Sequence, residues 1–338
     1  MRLSVLDQSP VRSGGSAADA VHETLELAAA ADRLGYHRYW LAEHHATPGL
    51  AGSCPEILIA AVAARTGRIR VGSGGVMLSH YAALKVAEQF RMLALLHPGR
   101  IDLGIGRAPG ADQRTAWALQ QRPEAPAAEP FPEQVADLIG FLHDALPPGH
   151  PLAGVRAMPA IPDAPELWLL GSTDGSAACA AHFGTAFSFA HFINADGGAA
   201  VTRAYTRQFR PSPALAAPRA SVAAFALCAD TEAEAWQLAA CRDLYLVRLY
   251  TGRAGPFPSV EEAQAYPYTE GERAIAREVG RRTIAGTPGE VRERLQALAA
   301  EYGVDEVVVV TITHQFKARL RSYELLAEAF DLAGSRGS

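Results

Sequence analysis

The sequence predicts an α/β fold, a closed (β/α)8 barrel of the TIM type with insertions at the C-terminal face of its strands. Three observations lead there. Eight short, mostly apolar runs alternate with helical stretches along the whole chain, and that rhythm implies a parallel sheet covered on both faces. The 338 residues suit one barrel, and neither a linker nor an internal repeat marks a second domain. Glycines and polar residues collect directly after the strands, at the end where such barrels place their sites. A doubly wound open sheet is the alternative, but it typically has fewer strands.

Residues 2–6 make the first strand, ending on Asp7, Gln8, Ser9 and Pro10. Ala and Leu at helical spacing over 16–34, with Gly35 as C-cap, give the first helix. The second strand is Arg38-Tyr39-Trp40-Leu41 and the second helix covers about 55–65. A third strand at 69–72 precedes a helix over about 82–96, closed by Pro98-Gly99. The fourth strand starts at Ile101 and runs into Gly104-Ile105-Gly106-Arg107. Residues 108–128 then form a long connection with Pro109, Gly110, Pro123 and Pro126, and loops of that length in compact domains are usually functional. A helix at about 132–145 and a Pro/Gly-rich segment over 146–165 lead to the fifth strand, 167–170, and a helix to about Phe183. The sixth strand is 186–189, with a helix around 197–208. The seventh is about 221–228, with Asp230 or Thr231 capping a long helix to about Tyr250. Residues 252–286 read as an insertion rich in Pro, Gly and charge. Helices at 288–302 and 316–332 bracket the eighth strand, 306–310.

Composition narrows the function classes. With 49% hydrophobic and 20% charged residues, the chain can bury a sizeable core. A net charge of −5 and the absence of a Lys/Arg run argue against nucleic acid as partner. No apolar run reaches the ~18 residues of a membrane span. Cys54, Cys179, Cys228 and Cys241 form no CxxC pair and read as reduced, mostly buried thiols of a cytoplasmic protein. The chain enters a strand at once, so no signal peptide is expected.

The chemistry gathers after the strands. Glu43-His44-His45 puts a carboxylate and two imidazoles at one strand end, and imidazole moves protons near neutral pH. A metal is not expected, because adjacent histidines on a strand end point opposite ways and no spacing completes a ligand set. A hydrogen-bonded structural pair is the other reading. Gly171-Ser172-Thr173-Asp174-Gly175-Ser176 joins the fifth strand to a helix; its amides and hydroxyls suit a phosphate, although an ordinary N-cap uses the same residues. Arg107 ends the adjacent strand with a matching charge, and Arg114 and Arg122 are either further cations of that clamp or solvated. Neither glycine motif has the spacing of a GxGxxG turn or a P-loop, which argues against a nucleoside triphosphate. His80, Tyr81, Trp117, His191 and Phe192 are candidates for a pocket wall or for plain packing.

Three stretches carry a resemblance in order and combination: Trp40-Leu41-Ala42-Glu43-His44-His45, Val71-Gly72-Ser73-Gly74-Gly75-Val76, and Gly99-Arg100-Ile101-Asp102-Leu103-Gly104-Ile105-Gly106-Arg107. Thr311-Ile312-Thr313-His314 and the stretch from Arg319 to Leu326 extend it towards the C-terminus. Over nearly the whole chain the sequence resembles the bacterial-luciferase-like, flavin-dependent monooxygenases. The resemblance implies a barrel that binds reduced FMN, delivered by a separate flavin reductase, and uses it with O₂ to oxygenate a small organic substrate. It implies that His44 is the acid/base group, oriented by Glu43, whose carboxylate would raise the imidazole pKa. It implies a non-prolyl cis peptide at Gly74–Gly75 beneath the flavin ring. It assigns Gly106, Arg107, Gly171, Ser172, Thr173 and Ser176 to the cofactor, leaving His80, His191 and Phe192 for the substrate pocket. Residues 108–128 and 252–286 would form a lid, and two copies would pair through the second and third helices. The chain departs from luciferase itself, which has a reactive cysteine in place of Gly106 and an acidic residue in place of Ser172, so light emission is not implied. Relatives that use the deazaflavin F420 for hydride transfer, or that bind flavin without turnover, are the alternatives.

Overall fold

The computed structural model describes residues 1–107, 112–119 and 131–333. In chain order the strands are β1 (Arg2–Asp7), β2 (Arg38–Leu41), β3 (Arg70–Ser73), β4 (Val76–Met77), β5 (Ile101–Gly106), β6 (Glu166–Gly171), β7 (Ala186–Ala190), β8 (Ala220–Cys228), β9 (Thr283–Gly286) and β10 (Glu306–Val310). All pair in parallel, and β10 closes the ring by joining both β1 and β8. Eight strands therefore make the closed barrel, while β4 pairs with β5 and β9 with the far end of β8.

Helices α1 (Ala17–Leu34), α2 (Pro55–Arg65), α3 (Ala83–Leu96), α5 (Phe131–Leu142), α6 (Asp174–Phe183), α7 (Gly198–Gln208), α11 (Pro288–Tyr302) and α12 (Phe316–Ala329) accompany the strands. The short α4 (Gln113–Leu119) follows β5; α8 (Glu232–Tyr250), α9 (Val260–Ala265) and α10 (Glu270–Gly280) lie between β8 and β9. Local chemistry sets their ends. Ser16 and Asp19 form a capping box at α1, Gly35 closes it at φ 103°, and Thr231 caps α8. None of these helices is long and apolar enough to cross a membrane.

Side chains alternate along each strand. One set, including Val5, Tyr39, Leu41, Val71, Leu103, Leu169, Phe187 and Val309, packs outward against the helices. The other set points into the barrel: Leu6, Trp40, Trp168, Ala223, Phe225, Val308 and Val310. That inner cluster continues into Leu238, Cys241, Leu244 and Tyr245 of α8, so α8 roofs one side of the barrel mouth. At the opposite end the interior is closed by charge. Arg38 meets Asp102 and Glu306 at 2.9 Å and Glu166 at 3.1 Å, and its guanidinium lies 4.7 Å from the Trp168 ring centroid. Ser4, Trp40 and Trp168 donate to the same three carboxylates.

The structure revises several expectations. Residues 252–286 are not a plain insertion, because they contain α9, α10 and the sheet strand β9. β9, Thr-Ile-Ala-Gly, has one large apolar side chain and so does not stand out as an apolar run. The chain after β3 re-enters the sheet as β4 and then forms a 3₁₀ turn, Leu78–His80. The 146–165 segment is anchored by buried Arg91, which donates to the carbonyls of Phe141, Leu142 and Ala157 and pairs with Asp144 at 2.9 Å. Within 108–128 the structure describes only 112–119; Arg122 lies outside the described residues, and Trp117 is exposed. Only two of the four cysteines, Cys228 and Cys241, are buried; Cys179 is half-buried and Cys54 is exposed at the start of α2.

Candidate active site

The barrel mouth has a floor of backbone. The Gly74–Gly75 peptide is cis, as expected. A Cβ at Gly74 would stand 2.9 Å from the Cβ of Trp40, and one at Gly75 would stand 2.8 Å from the Gly104 carbonyl oxygen, so only glycine fits either place. Gly106, at the end of β5, borders open space: a Cβ there would meet nothing nearer than the Met77 sulfur at 3.9 Å. A flat ring can lie on such a surface, which side chains would otherwise fill.

Beside this floor, β2 runs out into Glu43, His44 and His45. Glu43 is buried and its carboxylate is fully engaged. It accepts from the Met77 amide at 3.0 Å and the Tyr81 hydroxyl at 2.7 Å, and it meets His45 Nε2 at 2.6 Å. This corrects the expected partnership, because Glu43 orients His45 rather than His44. The reason is the two-residue period of extended chain: 43 and 45 share one side, while 44 follows Trp40 and Ala42 on the side facing the barrel interior. His44 Nδ1 is buried without a hydrogen-bond partner. Its pKa is therefore not raised but pushed down to about 4, chiefly by burial and secondarily by His45.

The phosphate-binding candidates lie at the ends of two paired strands. Gly106 of β5 is opposite Leu170 of β6, so Arg107 and the Gly171-Ser172 turn stand side by side. Arg107 is exposed, and its charge reaches Cys179 on α6, although burial dominates and pushes that thiol up to about 11. Thr173 is the N-cap of α6 but makes no capping bond and leaves an exposed hydroxyl, while the Asp174 carboxylate accepts from the Gly175 amide at 2.8 Å. Ser176 is buried over Gly171, where a Cβ would collide with its hydroxyl. An uncapped helix start next to an unshielded arginine is suited to a phosphate.

The expected substrate-pocket residues separate. Phe192 packs against the interior cluster. His80 is buried in the 3₁₀ turn, with its ring edge-on to His45 and Tyr81. His191, in the turn after β7, points to the helix layer: its Nδ1 meets the Tyr302 hydroxyl of α11 at 3.0 Å. Two further residues matter: Tyr81, which the sequence offered only as pocket wall or packing, and Arg242, which sequence reading missed. Tyr81 shares Glu43 with His45, and Arg242 of α8 stacks 4.2 Å over Phe225 inside the barrel. Arg242 has no local sequence signature; only the crossing of α8 over the mouth reveals it. Among the described residues no group of three His, Cys, Asp or Glu side chains is placed to hold a metal ion.

Comparison with known proteins agrees with this architecture. The family model described as luciferase-like monooxygenase matches residues 1–306. The uncharacterised protein YwcH of Bacillus subtilis (strain 168) is 48% identical over 332 residues, 97% of this chain and 98% of that one. The N-acetyl-S-alkylcysteine monooxygenase of the same organism is 41% identical over 334 residues, 97% of this chain and 98% of that protein. Among solved structures, apo-MsnO8 superposes with a TM-score of 0.89 at 39% identity, covering 98% of both chains. The chain belongs to the luciferase-like monooxygenase family.

Proposed function

We propose that the protein is an FMN-dependent monooxygenase that uses reduced FMN, supplied by a flavin reductase, and O₂ to oxygenate a small organic substrate in the cytoplasm. The observation that carries this reading is the glycine floor of Gly74, Gly75 and Gly106, set between His44 and the Arg107–Ser172 arm. Gly74, Gly75 and Gly106 would lie against the ring, and Arg107, Gly171, Ser172, Thr173 and Ser176 would hold the phosphate. When bound, reduced FMN supplies the electrons that activate O₂. The protein's part is to bind, orient and exclude water. His44, neutral at pH 7, would accept and return a proton at its inward-facing ring. Glu43 would hold His45 and Tyr81 in place behind it. We also propose that two copies pair through α2 and α3.

Oxygen uptake with photoreduced FMN tests the reading, using aldehydes, alkanes, aromatic compounds and N-acetyl-S-alkylcysteines, the last because of the named relative. The expected outcome is uptake coupled to one oxygenated product. Substrate oxidation by F420 under anaerobic conditions, with no product from FMN, would replace this reading by hydride transfer. For the phosphate arm, Arg107→Ala should weaken FMN more than riboflavin, by about 1.5–3 kcal/mol. Equal weakening of both in a binding titration would remove Arg107 from that role.

A further inference from the structure

Among the described residues, five arginines are more than nine-tenths buried: Arg38, Arg91, Arg242, Arg282 and Arg319. Three are neutralised by carboxylates, Arg38 by Asp102, Glu166 and Glu306, Arg91 by Asp144, and Arg319 by Asp7. Arg242 and Arg282 make no ion pair with any described carboxylate. They are also neighbours, and the charge of Arg282 acts on Arg242. Arg242 donates to the Thr283 hydroxyl at 2.9 Å and to the Phe192 carbonyl at 3.4 Å, while Arg282 donates to the next carbonyl, that of Ile193. Arg282 Nε is buried with no partner. Asp243 follows Arg242 in the chain and pulls on its charge without forming an ion pair. Burial dominates both groups, pushing Arg242 down to about 10 and the Asp243 carboxyl up to about 6.

Two buried cations side by side are costly, and Asp243, near Arg242 but not in contact with it, supplies at most one negative charge between them. Carbonyl and hydroxyl acceptors solvate a guanidinium but do not cancel its charge. An anion entering from the barrel mouth would. The guanidinium fork fits a carboxylate, and the Phe192 and Phe225 side chains beside it offer apolar surface for the rest of a small molecule. The phosphate arm is elsewhere, at the ends of β5 and β6, whereas this pair lies between the loop after β7 and the start of β9.

We propose that Arg242 and Arg282 receive a carboxylate of the organic substrate, so that the enzyme acts on anionic rather than neutral small molecules. The inference rests on the barrel mouth being the active site, as proposed above.

Calorimetric titration of the flavin-free protein with hexanoate and with hexanamide tests it without turnover. Hexanoate should bind about ten- to a hundred-fold more tightly than hexanamide, the range expected for a charge-assisted contact. Arg242→Gln and Arg282→Gln should each remove most of that preference, Arg242→Lys should keep part of it, and Arg107→Gln should leave it within two-fold. If the glutamine variants fail to fold by circular dichroism, the acid-to-amide ratio in the wild type and in Arg242→Lys still decides. Equal affinity for acid and amide in the wild type would overturn the proposal. So would a preference that survives both glutamine substitutions, or one that disappears in Arg107→Gln, which would put the anion in the phosphate arm. Oxygen uptake with reduced FMN is a separate measurement: if it fails while the hexanoate preference stands, the proposed function falls and the anion site remains.

Discussion

One step along an extended chain separates the roles of Glu43 and His44. Glu43 turns to Met77, Tyr81 and His45, whereas His44 faces the interior with its Nδ1 unpartnered. The motif was legible in the sequence, and so was its place at a strand end; the pairing within it follows only from strand alternation. The consequence for pH has a definite sign. Folded His44 protonates near 4 against an ordinary value of 6.5. Between those values the unfolded chain binds more protons, so His44 makes stability fall as pH drops from about 6.5 to about 4 and contributes no slope above that window. His44→Gln should therefore flatten unfolding free energy against pH in urea titrations between pH 4 and 6.5. Curves parallel to the wild type would show that the imidazole is not held neutral. In catalysis, His44→Ala should lower product formation by about 10²- to 10⁴-fold while FMN affinity stays within a few-fold. Loss of stability with unchanged coupling of O₂ to product would make it a packing residue.

At the scale of elements, the strands that could be read were those long and apolar enough to show a pattern. β1, β2, β3, β5, β6, β7, β8 and β10 fall within a residue or two of expectation, since each is a largely apolar run between punctuating residues. β4 was not legible because two residues carry no period; β9, as short as β2, has Ile284 as its one large apolar side chain, and both join the sheet through partners already in place. The glycines of β5 split in the same way. Gly104 and Gly106 look alike in sequence, yet a Cβ at Gly104 would collide with the Ser73 carbonyl, while one at Gly106 finds room. Gly104→Ala should thus force β3 and β5 apart and cost about 1–3 kcal/mol. Gly106→Ala should leave the urea midpoint nearly unchanged and weaken reduced FMN in a binding titration. If the two variants unfolded at the same denaturant concentration, the close approach of β3 and β5 would not be the reason for Gly104.

For the molecule as a whole, the two ends of the barrel are built on opposite terms: a closed ion network at one, glycine and open space at the other. Arg38 bridges the buried Asp102 and Glu306 and the half-buried Glu166; Arg70 and Arg219 still pair with Asp102 and Glu166, so Arg38→Met would strand chiefly the buried Glu306 and should cost about 3 kcal/mol in urea unfolding. The half-exposed Arg2–Asp305 pair should contribute under about 1 kcal/mol in the same measurement. The outer surface carries the last prediction. Lone apolar side chains on a surface are ordinary, but α2 and α3 pack together and expose Ile57 at 66%, Met92 at 47%, Leu95 at 48% and Leu96 at 59%. Met158, 58% exposed, joins them, since its amide donates to Glu88 of α3 at 3.4 Å. Five large apolar groups on adjoining segments are more than a surface needs and are the kind of patch that a second copy covers. The sequence pointed here as well, because helices at 57–64 and 82–96 have more apolar residues than one buried stripe requires. Sedimentation at micromolar concentration should give a dimer. Replacing Leu95 and Leu96 together by Glu would bury two charges in that contact and should weaken pairing by about a hundred-fold or more, while circular dichroism stays unchanged. A wild-type monomer under those conditions would reject the pairing, and a double variant that dimerises as well as the wild type would move it to another face.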